Sequence, residues 1–286
     1  MTGQLDPRLH AYRPDLADEE LFGLVEAERF VAGNDWQVTS PVAPVRRAPR
    51  EGAPLDTEAL RGEIVRVFET RDGWAWGQLR EDRYVGWLPA DQLGSVGARV
   101  THRVSALRSF VFPAPDMKRP PVMALPMNAR LEVLGAEGTF ARTEAGYVAA
   151  RHLTPLDEPA PDWVAVAERF VGTPYLWGGR SSLGIDCSGL VQMGLAASGV
   201  ACPRDSDMQA ESLGVRIEST DPSKLERGDL VFWKGHVGIA AGQGILLHAN
   251  AHHMETVVEP IGEAVARISD AGHEISGIRR IAVDPA

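Results

Sequence analysis

Of the two cysteines in 286 residues, Cys187 stands where a thiol could act as a nucleophile. It follows Asp186 and opens a run in which Leu190, Val191, Leu195 and Ala196 recur at helical spacing, with Gly199 as terminator. A sulfur at the first turn of a helix faces unpaired backbone N–H groups and the positive end of the dipole, which favours thiolate over thiol. Such a nucleophile needs a base within hydrogen-bond reach and a third group to orient the base. His236 opens a β-like run 49 residues later, and His248 closes the next one after 12 more. Two antiparallel strands joined at Gly242-Gln-Gly244 would bring both imidazoles to one face, so a Cys–His–His relay is open to this chain. The plainer accounts stay open too: a small buried hydrophobe for the cysteine, structural histidines for the rest.

Other chemistry-bearing residues read more simply. Cys202 precedes Pro203 with no helix start beside it and is expected to be structural. His248 and His252 have i,i+4 spacing, but they follow a strand-like run and no CxxC or HExxH accompanies them, so no metal site is expected. Two cysteines are too few for a disulfide scaffold, and free thiols in a reducing compartment are expected rather than one bridge. The 39 acidic and 29 basic side chains give a net charge of −10, which argues against nucleic acid as a partner and weakly against an anionic wall or lipid surface. Hydrophobic residues at 44% and charged ones at 24% exclude a fibrous or mainly disordered chain. No basic n-region precedes an apolar stretch at the N-terminus, and no apolar run approaches the roughly 18 residues of a membrane span. The expectation is a cytoplasmic protein with no membrane partner.

The elements that must position these residues fall into three expected domains, 1–95, 96–156 and 157–286. A helix is expected over Glu19–Phe30, on the recurrence of Leu21, Leu24 and Val25. β-like runs then follow at 62–68, 74–79 and 84–88, separated by Arg71-Asp-Gly73 and Glu81-Asp82, which are hairpin turn residues. The pattern recurs from Ala129 to Leu153, and Tyr84-Val to Leu93 echoes Tyr147-Val to Leu153, as in a diverged tandem repeat of small barrels. The stretch 154–162, with three prolines and three acids, reads as a stiff linker. Asp162 then caps a helix carrying Val164, Ala167, Phe170 and Val171. The remainder after the Cys187 helix is β-like, ending in a strand over Ile275–Val283, which makes this part α+β.

Several blocks occur together in order: Pro174-Tyr-Leu-Trp-Gly-Gly179, Gly184-Ile-Asp-Cys-Ser-Gly-Leu-Val191, Pro203-Arg-Asp-Ser206 with Gln209, Gly228-Asp-Leu-Val-Phe-Trp233, His236-Val-Gly-Ile239 and Leu247-His-Ala249. On these blocks, residues 160–284 resemble the NlpC/P60 family of cysteine peptidases. The resemblance implies an α+β, papain-like catalytic domain, with N-terminal helices packed on an antiparallel sheet and no metal or cofactor. It implies Cys187 as nucleophile, His236 as general base and acid, His248 as the orienting third member, and Tyr175 beside the sulfur as an oxyanion donor. Trp177 reads as a core aromatic, and Asp229 as the fastener of the turn into its strand.

The leading modules make the chain similar to the subgroup with two small SH3-like β-barrels ahead of the catalytic domain. Its members cleave γ-D-glutamyl–diamino acid bonds in murein peptides whose N-terminal L-Ala is free. A monomer acting on such small peptides is expected. Recognition of the substrate's ammonium then falls to Asp186 and Asp205, with hydrogen bonds from Ser188 and Ser206, and with Tyr84 and Glu58 of the first barrel as further substrate-binding candidates. The competing expectations are an exported hydrolase of intact peptidoglycan, a non-catalytic murein-peptide-binding protein, and an acyltransferase using the same thiol.

Overall fold

Alternating burial and tight turns build the first half of the chain as sheet that is antiparallel except where Leu16–Asp18 pairs with Phe30–Val31. The computed structural model describes residues 5–97 and 99–281. Met1–Gln4, part of the N-terminus that shows no basic n-region, and the Ala282–Val283 end of the expected last strand lie outside them. The chain divides into two units, Met1–Leu156 and Asp157–Ala286.

In the first unit a seven-stranded sheet runs in the order Leu93–Ser95, Asn34–Val38, Ile64–Arg71, Trp74–Leu79, Val85–Pro89, Val42–Arg46, Leu55–Leu60. Its hairpin at Asp72-Gly73 has φ of +51° and +81°, the pair of positive angles that a two-residue turn needs to match strand twist. The helix expected over Glu19–Phe30 does not form. Only Glu19–Leu21 makes a 3₁₀ turn, Gly23 turns away at φ +79°, and Phe22 and Leu24 stay 77% and 66% exposed. Helical periodicity without a core to bury it does not hold a helix. Instead, Ala11 and Leu16 pack on Phe68, Trp76 and Trp87 of the barrel.

The internal repeat is visible in the backbone. Val85–Pro89, a 3₁₀ turn at Ala90–Gln92 and strand Leu93–Ser95 have their counterpart in Gly146–Ala149, Ala150–His152 and Leu153–Pro155. The second set of strands forms a five-stranded sheet and a three-stranded one around Val104, Val111, Leu125, Leu131 and Val148.

The second unit opens with helix α1 (Trp163–Glu168), followed by α2 (Cys187–Ala197), in which only Ala196 is not buried. A short helix α3 (Ser206–Ser212) comes next. The six-stranded sheet runs Val215–Ile217, Gly277–Arg280, Asp229–Trp233, His236–Gly242, Ile245–Asn250, Glu255–Pro260. Between its last edge strand and Gly277–Arg280 lies helix α4 (Ile261–Asp270), in a stretch where the sequence reading expects only strand. Its Ile261 and Ala264 cover Leu246, Trp233 and Ile278 on the sheet. Among the described residues no helix is long and apolar enough to cross a membrane.

Asp162 is the N-cap of α1, accepting from the N–H groups of Val164 at 2.9 Å and Ala165 at 3.0 Å. Asp162→Ala should lower the stability of this unit by about 1–2 kcal/mol, and Asp162→Asn should restore most of it. Urea unfolding followed by tryptophan fluorescence checks this; an unchanged midpoint for the alanine variant would contradict the capping role.

Candidate active site

The start of α2 is built around one carboxylate. Asp186 caps the helix through Gly189 N–H at 2.7 Å and also accepts from Gly178 N–H at 2.8 Å. Arg204, 1% exposed, grips both its oxygens at 2.9 and 2.6 Å and reaches Ser188 Oγ at 2.8 Å. Ser188 Oγ donates back to Asp186 at 3.2 Å. Gln209, fully buried, ties the Ser188 and Pro203 carbonyls together at 3.0 and 2.8 Å. The backbones close tightly here: a Cβ on Gly189 would lie 2.3 Å from the Gly179 carbonyl oxygen. This corrects the expectation that Asp186 meets the substrate's ammonium, and the Ser188 hydroxyl expected to add a hydrogen bond is itself engaged by Asp186 and Arg204. Five donors already fill the carboxylate, and the guanidinium neutralises it.

That brace fixes Cys187 at the first position of α2, 7% exposed. The N–H groups of Val237 and Ser188 point at its sulfur, so the start of the His236–Gly242 strand meets the start of the helix. Burial, and then the Asp186 charge, nevertheless push the thiol up to about 12. Burial likewise pushes His236 down to about 3, with His248 and Arg267 acting the same way and Glu259 and Asp186 opposing. Both shifts favour neutral thiol and neutral imidazole over the thiolate that the helix dipole alone leads one to expect. Burial of the sulfur outweighs the helix start in setting this direction.

The two histidines meet as the hairpin argument requires: His236 Nε2 lies 2.9 Å from His248 Nδ1. Beyond them are two groups the sequence reading missed. His248 Nε2 is 2.7 Å from Glu259 Oε1, and Arg267 of α4 donates to the same oxygen. Glu259 could be found only from the strand register, and Arg267 only by recognising α4 as a helix. Tyr175 is half-buried near the sulfur, and burial with the Cys187 and Asp186 charges raises its phenol further, so the hydroxyl stays protonated as a donor.

Trp177 corrects another expectation. It is 66% exposed, because its loop is held by backbone bonds of Gly178 and Gly179 rather than by core packing. Asp229 does fasten its turn, accepting from Glu226 N–H at 2.8 Å and from both sides of the Arg280 guanidinium at 2.8 Å. Asp205 is the N-cap residue of α3 and Ser206 its first residue, both partly buried. Tyr84 and Glu58 belong to the first unit and are buried there; Tyr84 lines a cavity of about 380 Å³ with Arg13, Trp76 and Trp87. His253, His248 and Glu259 offer ligand atoms within 4.8 Å of one another, but Arg267 already places a cation on that carboxylate, which makes the cluster a hydrogen-bonded relay.

A buried sulfur that meets the strand opened by a relayed imidazole, with a protonated phenol near it, has the groups that acyl transfer through nucleophilic attack requires. Two measurements test this geometry. In a Cys202→Ser background, alkylation of Cys187 by iodoacetamide should rise about tenfold per pH unit from pH 6 to 9, as for a thiol raised above its usual value; a plateau beginning below pH 6 would show a standing thiolate. Arg204→Met should destabilise the second unit by about 3–5 kcal/mol, with Arg204→Lys unable to restore the two-pronged grip. An unchanged denaturant midpoint for the methionine variant would remove the brace from the account.

Comparison with known proteins agrees with this architecture. Residues 172–267 match the profile of the NlpC/P60 family, and residues 45–93 that of the bacterial dipeptidyl-peptidase SH3 domain. A gamma-D-glutamyl-L-lysine dipeptidyl-peptidase from Bacillus subtilis is 38% identical over 221 residues, covering 68% of this chain and 72% of its own. One of the same name from Bacillus cereus is 27% identical over 245 residues, covering 72% and 71%. The crystal structure of an NlpC/P60 family protein from Bacillus cereus superposes with a TM-score of 0.72 at 23% identity, over 86% of this chain and 99% of that one, so the fold is shared. With a relative of that similarity aligned over most of both chains, this chain belongs to the NlpC/P60 family.

Proposed function

We propose that this chain is a cysteine endopeptidase that hydrolyses the γ-D-glutamyl–diamino acid bond of murein peptides with a free N-terminal L-Ala, releasing L-Ala-γ-D-Glu. The observation that carries the reading is the sulfur of Cys187 at a helix start, receiving Val237 N–H next to a histidine whose far nitrogen is 2.9 Å from a second histidine. The names of the two Bacillus relatives supply the bond type. A net charge of −10 supports small free peptides over an anionic polymer as substrate.

In this reading His236 accepts the thiol proton as Cys187 attacks the γ-carbonyl of D-Glu. Because the proton stays within the pair, the site's net charge does not change during the attack. The oxyanion accepts from the Tyr175 hydroxyl and from backbone N–H groups at the start of α2, which point at the developing charge. His236 then gives its proton to the departing amine of the diamino acid, and the C–N bond breaks to leave a thioester. Water loses a proton to His236 and attacks the thioester; the proton returns to sulfur as the dipeptide leaves. With Asp186 occupied by Arg204, the candidates for holding the substrate's ammonium and amide groups are Asp205 and Ser206 at the start of α3.

The test is incubation with L-Ala-γ-D-Glu-meso-diaminopimelate and its L-lysine analogue, with mass-spectrometric detection of L-Ala-γ-D-Glu. N-acetylation of the tripeptide should suppress release, and purified sacculi should be poorer substrates than the free peptide. Cys187→Ala should lower kcat by about 10⁴-fold or more. Undiminished turnover by that variant would contradict the nucleophile, and preference for sacculi would favour a wall hydrolase instead.

A further inference from the structure

Beyond the two histidines the relay continues to a carboxylate and a guanidinium, and those two groups fix where every proton in it sits. Arg267 can only donate, so Glu259 Oε1, which it contacts, is an acceptor there. The same oxygen lies 2.7 Å from His248 Nε2, which must therefore carry the hydrogen. His248 is kept neutral by burial, so its Nδ1 is bare and can only accept. His236 Nε2, 2.9 Å from that nitrogen, must then be the donor. A neutral His236 protonated at Nε2 has one basic site left, Nδ1.

We propose that Glu259, held in place by Arg267, is a positioning residue that sets both imidazoles in their Nε2–H forms and so leaves His236 Nδ1 free to take the proton of Cys187. This rests on the cysteine peptidase reading for its catalytic consequence, not for its geometry. Without Glu259, His248 can reverse, donate from Nδ1 and oblige His236 to hold its hydrogen on the nitrogen meant to accept. Glu259 also has an electrostatic effect. Its charge raises the proton affinity of His236, as does Asp186 at the start of α2, while His248 and Arg267 lower it; His253 and Arg267 act on His248 in the same lowering sense. When His236 becomes imidazolium, the carboxylate at the end of the chain is the nearest compensating charge that the hydrogen bonds connect to it.

The experiment has a spectroscopic and a kinetic arm, both on the full chain. Long-range ¹H–¹⁵N spectra of ¹⁵N-histidine-labelled protein should show His236 and His248, assigned by single substitution, as Nε2–H forms near pH 7. In Glu259→Leu, Nδ1–H signals should appear, kcat should fall about 100-fold and KM should stay within about twofold, because Glu259 touches no substrate. Glu259→Gln keeps an oxygen that accepts from both Arg267 and His248, so it should keep the Nε2–H pattern and recover most of kcat. It removes the charge that raises His236, so the acid limb of its kcat/KM profile, where the base is lost to protonation, should move to lower pH. A residue of purely structural importance would change stability without moving the tautomer signals or that limb. An Nδ1–H form of either histidine in the unsubstituted protein overturns the proposal. A folded Glu259→Leu with unchanged tautomers and kcat overturns it as well. Should Glu259→Leu not fold, the unsubstituted spectrum and Glu259→Gln decide the matter. Should the unsubstituted protein release no dipeptide, the peptidase reading fails while the spectra still judge the tautomer.

Discussion

Charge has to appear during the proposed reaction in a place that disfavours it, and the second unit is arranged around that conflict. Cys187 is almost wholly buried, and burial shifts both it and the partly covered His236 toward their neutral forms. In water a thiolate is solvated at no structural cost; in a low-dielectric site each isolated charge is expensive, while fixed dipoles aimed at it act strongly. Three kinds of support oppose the desolvation: the open N–H groups at the start of α2, the N–H of Val237 on the neighbouring strand, and the carboxylate at the far end of the imidazole pair. None alone ionises the sulfur. Together they let the charge exist for as long as the proton is on the neighbouring ring.

The same conflict explains why Asp186 is not offered to solvent. A carboxylate beside this sulfur raises the thiol, as it does here, so an unpaired one would work against the proposed chemistry. Arg204 offsets it with two short hydrogen bonds inside the core, and the Arg204 charge in turn lowers the thiol. Removing either partner leaves a buried charge uncompensated, which is far more disruptive than never having placed the pair. The carboxylate then serves geometry, joining the Gly178 loop to the first turn of α2 at a spacing only glycine permits at Gly189.

What could be read from the sequence was local. Asp162 declares a helix start because a cap acts within three residues, and Asp72-Gly73 declares a hairpin because its angles are a property of the two residues themselves. The pairing of His236 with His248 needed only a short turn between two strands. Tertiary context defeated the rest. Leu21, Leu24 and Val25 have helical spacing, but only Leu21 is buried and Leu24 has no surface to cover, and Trp177 is large and apolar yet lies on a loop whose backbone is satisfied elsewhere. Arg204 in Pro203-Arg-Asp-Ser206 looks like a surface charge until Asp186, 18 residues earlier, is brought against it. Glu259 ends a run of ordinary strand residues, and α4 contains the same Ile and Val that a strand would.

The relay also accounts for a detail of the sheet. Ile239 lies opposite Leu247 and Ala240 opposite Leu246, and the same count carried along both strands would set Gly238 level with His248 and His236 level with Asn250. The two histidines are thus diagonal neighbours rather than directly facing ones, and His248, opposite Val257, stands in the same diagonal relation to Glu259. Diagonal residues on one face are about 7–8 Å apart, too far for small side chains and well matched to imidazoles meeting end to end. Gly238 keeps the position facing His248 clear, since a Cβ there would come within 2.8 Å of the Leu246 side chain. A one-residue slip of either strand would turn its part of the relay to the opposite face of the sheet. The packing of Ile261 and Ala264 on Leu246 therefore does more than close a core: it fixes the strand that carries His248 and sets the helix from which Arg267 holds Glu259.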